Sequence, residues 1–276
     1  KDKIMLRYNK TEVVDNLDDI QNELYRECLR FMNLSKGIEN TSIADIISRT
    51  GLGGSSSFTV ALLHALHAYK GEHVSSEQLS KEACHIEIDV LNRPIGRQDQ
   101  YSAAYGGLNF IEFHPDDNVK VTPLICKKNT LNELNKKLLL FYTGITRDSS
   151  DILSIQKDTT EEKRETLRKM KILSDDIMDS LLNGDLETFS KCLHDGWLEK
   201  KKIVNKISNK VIDKYYDKAI SAGAKGGKLL GAGGGGFLLF YCDEEKQDKV
   251  RKELDNLREV SFKFENQGSK VIYIGD

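Results

Sequence analysis

Apolar and polar positions change period several times along these 276 residues. At the start KIMLRY alternates as a strand does. NLDDIQNELYRECLRFMN then sets Ile20, Leu24, Cys28 and Phe31 at helical spacing, with Asp18 or Asp19 as the cap. TSIADII reads as a short strand leading into RTGLGGSSSFTVALLHALHAYKG. There Phe58, Leu62, Ala65, Leu66 and Tyr69 share one helical face while Val60 and Leu63 take the other. That helix is expected to be buried nearly all round and to end at Gly71. SSEQLSKEACHIEIDV opens on serine caps and carries Leu79, Ala83, Ile86 and Val90 on one stripe, stopping before NRPIG. GGLNFIEF, VKVTPL and KLLLFYTG read as strands. Three helices follow, from about Ser150 to Leu182, from Asp185 to about Ile207, and from Val211 to Ala222, each bounded by Gly or Asn signals. KLLGAGGGGFLLFYC is a strand pair pinched by four glycines, and SKVIYIG reads as a last strand.

The polar stretch CKKNTLNELNKK separates a half holding the Gly-Ser loop from a helix-rich half holding the tetraglycine, which suggests two domains, 1–130 and 131–276. With 39% apolar residues the chain can build a substantial core. Its 41 Lys and Arg against 43 Asp and Glu leave a net charge of −2, no field to gather nucleic acid or an anionic membrane, so any anion must be bound locally. The run KDTTEEKRETLRKMK alternates in sign above a stripe of Leu167, Met170, Ile177 and Leu181, the pattern of a solvated helix face. Five scattered cysteines with no C-x-x-C imply neither a disulfide framework nor a zinc site, and a reducing cytoplasm suits them. No stretch has the length of a membrane span, and KDKIMLRYNK lacks the apolar core of a signal peptide. A homo-oligomer is compatible with the sequence, which offers no readable interface.

Three stretches carry chemistry. In GLGGSSS, glycines let successive N–H groups converge while the following helix adds its first-turn donors and positive end, which makes a cradle for phosphate. The alternative is a plain Gly-Ser turn. A Walker loop would need a Lys that is not here, and a dinucleotide fingerprint would want Gly where Ser56 stands, with Glu72 poorly placed as its acid. A serine beside phosphate is a ready magnesium ligand, and Glu87, at the edge of an apolar stripe, can supply the carboxylate unless it is merely an exposed residue bordering the core. In RPIGRQDQYSAAYGG, Asp99 can orient and deprotonate an attacking hydroxyl, or simply cap a turn. In LLGAGGGGFLLFY the glycines can kink a strand or admit a phosphate, with Lys228 nearby as a complement to an anion. His64 and His67, a turn apart in an apolar helix without a third ligand, read as packed residues, as do Tyr101, Tyr105 and Trp197.

The order GLGGSSS, a helical Glu, GRQDQYSAAYGG and a late Gly-rich loop resembles the GHMP kinase superfamily, named for galactokinase, homoserine kinase, mevalonate kinase and phosphomevalonate kinase. SIADII, ACHIEIDV, GRQDQYSAAYGGLNFIEF, FYTGITRDSSDI and GGKLLGAGGGGFLLFY are most similar to its D-glycero-D-manno-heptose 7-phosphate kinase group. The resemblance implies a two-domain α+β fold, ribosomal-protein-like in the first half and ferredoxin-like in the second. It implies that Gly51, Leu52, Gly53, Gly54, Ser55 and Ser56 form the ATP phosphate loop, with Ser55 and Glu87 on Mg2+ and Asp99 as base. Gly231, Gly233, Gly234, Gly235 and Gly236 match the family's third motif, on the substrate side. A heptose 7-phosphate also needs a local cation, for which Arg97, Arg147 and Lys228 are candidates, Arg147 first. The family loop usually has a proline where Ile47 stands. Its Gly-rich first motif has no counterpart here, so some 50 to 60 residues, a two-strand-plus-loop length, are expected to be missing. The implied activity is phosphorylation of a sugar phosphate at its anomeric hydroxyl. Rival readings are a kinase of fucose or galactose, a catalytically silent sugar-binding relative, and a dinucleotide-dependent oxidoreductase.

Overall fold

A computed structural model describes residues 2–45, 50–146, 152–153 and 163–275 of the chain. They gather into two compact units, Lys1–Ser48 with Gly53–Gly107 and Glu265–Asp276, and Arg49–Leu52 with Leu108–Phe264.

In the first unit β1 (Ile4–Arg7) pairs antiparallel with β2 (Thr11–Val14) and parallel with β3 (Glu39–Thr41). Its helices are α1 (Glu23–Phe31), α2 (Gly54–Tyr69), α3 (Ser76–Cys84) and α4 (Gln98–Tyr105), and α3 runs on as a π-helix over His85–Val90. Helix α2 packs against α1, α3 and α4. Ile4, Leu6, Tyr25, Leu29, Val60, Leu63, Leu79 and Ile86 are among the residues that fill the core between them. The cap of α1 is Asn22, whose side chain accepts from the N–H groups of Leu24 and Tyr25, and not Asp18 or Asp19, which lie in a preceding 3₁₀ turn. That later start turns Tyr25 and Leu29 inward and leaves Phe31 39% exposed. The strand expected over TSIADII ends at Thr41, and residues 46–49 lie outside the described set.

In the second unit β4 (Asn109–Phe113) and β5 (Val119–Pro123) form an antiparallel hairpin. A four-stranded sheet runs in the order β7 (Gly226–Leu229), β8 (Phe237–Tyr241), β6 (Leu138–Tyr142), β9 (Arg258–Glu259), antiparallel throughout. Successive residues of β8 go to opposite clusters, Leu238 and Phe240 to one, Leu239 and Tyr241 to the other. Both sheet faces are therefore covered, which is why these strands read as continuous apolar runs. Helices α5 (Lys128–Lys137), α6 (Arg164–Asn183), α7 (Leu186–Lys201), α8 (Lys210–Ala222) and α9 (Glu244–Glu253) complete the unit.

CKKNTLNELNKK, read as the polar stretch between the two halves, is mostly helix α5, anchored by buried Thr130 and Leu134. Leu124 and Cys126 pack on the same cluster as Leu134, so residues 108–126 belong with the second unit and the chain's compact units change at Gly107, not near residue 130. SKVIYIG is not a strand: Ile272, Tyr273 and Ile274 are 87%, 82% and 70% exposed. Tyr101 and Trp197 are buried as expected. All five cysteines are free thiols, and no described helix is long and apolar enough to cross a membrane.

Candidate active site

GLGGSSS folds as its composition requires. Gly53 is the N-cap of α2 in the left-handed region (φ 67°), a conformation that favours glycine, and no side chain caps the helix. The first turn of α2 holds no acidic residue either, so its N–H groups and positive dipole end are left for an anion from outside the helix. The side chain of Asp99, in the first turn of α4, lies against this loop: a Cβ built on Gly53 would stand 3.2 Å from both Cβ and Cγ of Asp99 and 3.3 Å from Oδ2. Asp99 is exposed.

Ser55 and Glu87 meet directly, the serine hydroxyl donating to Glu87 Oε1. Glu87 is 0% exposed, which removes the reading of it as a surface residue bordering the core. The π-helix brings this about. Leu91 N–H donates to the Ile86 carbonyl, five residues back, and the wider turn carries Glu87 inward while Val90 ends 41% exposed. The buried carboxylate is compensated on both oxygens: Gln100 Nε2 donates to Oε2 at 2.7 Å, and Arg93 Nη1 reaches Oε1 at 3.2 Å and the Ser55 hydroxyl at 2.7 Å. Helix α4 thus turns Asp99 to the Gly-Ser loop and its neighbour Gln100 to Glu87. Neither Arg93 nor Gln100 was singled out from the sequence. Gln100 had a signal, adjacency to Asp99; Arg93 had none, being a turn residue paired with Ser55 across 38 positions.

The residues fit magnesium: Ser55 and Glu87 put two oxygens within reach of one ion, and Gln100 Oε1, on the residue that bonds the other carboxylate oxygen, is a buried acceptor with no partner. Among the described residues no group of three His, Cys, Asp or Glu could hold a metal. His67 is buried between Glu72 and Glu82, 2.8 Å from each, and His64 bonds Ser269. Burial, and after it the Glu87 carboxylate, pushes the Cys28 thiol up. Burial also raises Cys84 to about 12, with Arg97 opposing and Glu87 adding, so both stay protonated and inert.

The tetraglycine loop is held within the second unit. Gly234 and Gly236 N–H donate to the carbonyls of Ile207 and Ile145, and a Cβ on Gly231 would stand 2.6 Å from Gly51 Cα. A Cβ added to Gly233 or to Gly235 would stand 2.7 and 2.6 Å from the Ile207 and Ile145 carbonyl oxygens respectively. Lys228, in β7, is half-buried, and burial lowers its pKa. Arg147 lies outside the described residues.

Two family models match the chain, GHMP kinases N terminal domain over residues 19–107 and GHMP kinases C terminal over residues 177–258. A D-glycero-alpha-D-manno-heptose 7-phosphate kinase of Campylobacter jejuni is 34% identical over 226 residues, 79% of this chain and 66% of the relative. A bifunctional fucokinase/GDP-fucose pyrophosphorylase of Arabidopsis thaliana is 25% identical over 241 residues, 84% of this chain and 22% of the relative. The chain therefore spans under two thirds of the length of either. A crystal structure of a D-glycero-D-manno-heptose 1-phosphate kinase from Bacteroides thetaiotaomicron superposes with a TM-score of 0.77 at 26% identity, over 96% of this chain and 81% of that one. With a family match in each half, and Ser55, Glu87 and Asp99 gathered at the head of α2, the chain belongs to the GHMP kinases.

Proposed function

We propose that this chain is an ATP- and magnesium-dependent sugar kinase acting on the anomeric hydroxyl of D-glycero-D-manno-heptose 7-phosphate. The observation that carries the reading is the convergence at the mouth of α2 of an uncapped helix end, the Ser55–Glu87 pair and the Asp99 carboxylate. The 34% identity to a heptose 7-phosphate kinase supports the choice of substrate.

In this reading the N–H groups of the Gly51–Ser56 loop, Leu52 included, hold the ATP phosphates where a Walker loop would use lysine. Ser55 and Glu87 hold magnesium, which supplies charge neutralisation on the phosphates. Asp99 accepts the proton of the sugar hydroxyl as its oxygen attacks the γ-phosphorus. The bond from that phosphorus to the bridging oxygen breaks, and ADP leaves with the electron pair. Arg147 and Lys228 are assigned to the sugar's own phosphate, and Gly231, Gly233 and Gly234 to the sugar. We further assign a ribosomal-protein-like plan to the part that holds the match over residues 19–107 and a ferredoxin-like plan to the part that holds the match over residues 177–258. A cytoplasmic setting suits five free thiols.

The test is an ADP-release screen across free and phosphorylated heptoses, hexoses, fucose and mevalonate. Preference for heptose 7-phosphate is expected. Faster turnover of a free sugar overturns the substrate, and silence with every acceptor overturns the activity. Arg147→Gln should weaken apparent affinity for the phosphorylated sugar by about 2 kcal/mol, the loss of a charge-assisted contact, with ATP dependence unchanged. Equal losses on free and phosphorylated heptose would remove Arg147 from that role.

A further inference from the structure

We propose that Arg93 is a resident cation of the Ser55–Glu87 pair, one that a divalent metal must displace, so that loading this site is an exchange of cations rather than a simple capture. The proposal rests on the assignment of magnesium to Ser55 and Glu87 made above.

A carboxylate at 0% exposure needs a counter-charge, and Arg93 supplies it. Its Nη1 reaches the two oxygens a metal would use, Ser55 Oγ at 2.7 Å and Glu87 Oε1 at 3.2 Å. A guanidinium nitrogen that lies against both ligands cannot stay while a dication binds them: Glu87 Oε1 already accepts from Ser55 and from Arg93, and the two positive charges would be only a few ångströms apart. Protonation gives no way out, since a guanidinium does not lose its proton in a protein. The head of Arg93 must move.

The surroundings allow that movement. The Arg93 backbone is pinned by its N–H to the carbonyl of Glu87 at 3.1 Å, so the base of the side chain stays in register while the head swings. The side chain is 30% exposed and has a way to solvent, and Glu23, 57% exposed, already stands 3.7 Å from Nη2 as a partner to receive it. A second observation concerns the same carboxylate. Gln100 is fully buried, gives its Nε2 to Glu87 Oε2, and keeps an Oε1 with no donor, so the polar interior around Glu87 is left incompletely satisfied. The exchange also has an electrostatic consequence. With Arg93 in place the carboxylate and guanidinium cancel, and only the metal-loaded site carries the positive charge that a polyphosphate needs.

The experiment measures Mn2+ binding to the full chain by EPR and calorimetry, with and without ADP, for the parent, Arg93→Gln, Arg93→Lys, Glu87→Gln and Ser55→Ala. Thermal melts are run on the same samples. Arg93→Gln should bind Mn2+ about tenfold tighter or better, because the competitor is gone. It should melt lower than the parent without metal, where Glu87 is left uncompensated, and gain more from Mn2+ than the parent does. Arg93→Lys, with the charge but not the fork, should fall between, and it serves as the test if the glutamine variant does not fold. Unchanged or weaker Mn2+ binding by Arg93→Gln, with Glu87→Gln weakened, overturns the exchange and leaves the metal assignment standing. Parent-like Mn2+ binding by Glu87→Gln and Ser55→Ala together overturns the metal assignment itself, and the exchange with it.

Discussion

At Gly54, in the first glycine-rich loop, an added Cβ would meet nothing within 4 Å, whereas at Gly236, in the second, it would stand 2.2 Å from the carbonyl oxygen of Thr50. The same residue type answers two different demands. In the second loop the backbone is threaded between other backbones, and two of its donors, the N–H groups of Gly234 and Gly236, are already spent on Ile207 and Ile145. Close packing is enough to require glycine at Gly231, Gly233, Gly235 and Gly236. Packing does not account for Gly54, and the helix it opens has neither a capping side chain nor an acidic residue in its first turn. A run of glycines is therefore weak evidence of a phosphate site until the destinations of its N–H groups are known.

The comparison is tested most severely through Asp99, the side chain laid against the first loop. Asp99→Asn keeps the volume beside Gly53 and removes the proposed base, so turnover should fall by roughly 10²- to 10⁴-fold while the fold and nucleotide affinity hold. Single-turnover kinetics with parallel nucleotide titration measures this, and parent-like chemistry would take the loop's carboxylate out of the reaction. The corresponding assault on the second loop should show in stability instead. Gly236→Ala combines overlap with the Thr50 carbonyl and a φ of 101° that disfavours a side chain. It should destabilise the protein by about 3–5 kcal/mol, read as a fall in urea midpoint, and an unmoved midpoint would show that the loop relaxes freely.

A smaller effect belongs to Lys228, just before the second loop. Burial lowers its pKa, so between that lowered value and its ordinary one the unfolded chain binds more protons than the folded chain. Stability should then rise with pH through this window and level off above about 10.4. Lys228→Met should flatten this rise and, if Lys228 reads the sugar's phosphate, raise KM for the phosphorylated sugar. A stability profile identical to the parent's as pH rises toward about 10.4 would mean that the ammonium is well solvated.

The sequence made the two loops equally visible and their difference invisible, for a physical reason. Periodicity reports which face of an element is apolar, so the β7–β8 pair and the burial of Trp197 were legible, and α2 was legible as a helix but not as one with an exposed stripe of Ser57, Ala61, Ala65 and Tyr69. It does not report which distant backbone presses on a glycine, nor a change of helical pitch. Glu87 was placed at the edge of a stripe by counting 3.6 residues per turn, and the π-helix over His85–Val90 rotated it into the interior. Helix α5 escaped because only Thr130 and Leu134 anchor it, too thin a stripe to rise above a polar background. SKVIYIG failed in the opposite sense, since alternation marks a strand only where a neighbour and a core are there to use it.

The smallest expected effect is also the one that separates the loops most cleanly. Gly54 is the first residue of α2, exposed, outside the positive-φ set and without neighbours for a Cβ. Alanine there loses no contact and restricts the unfolded chain, so Gly54→Ala should leave stability unchanged or raise it by about 0.4–1 kcal/mol. The methyl group would still stand at the mouth of the helix, where a phosphate must approach the N–H groups closely, and ATP affinity should fall while the melting temperature does not. Calorimetric titration with ATP beside a urea melt reads both quantities from one preparation. If Gly54→Ala weakens the fold as Gly236→Ala does, the helix end is held by packing as the second loop is, and the contrast between them disappears. If it changes neither stability nor affinity, the N–H groups of this helix end are not where the nucleotide binds.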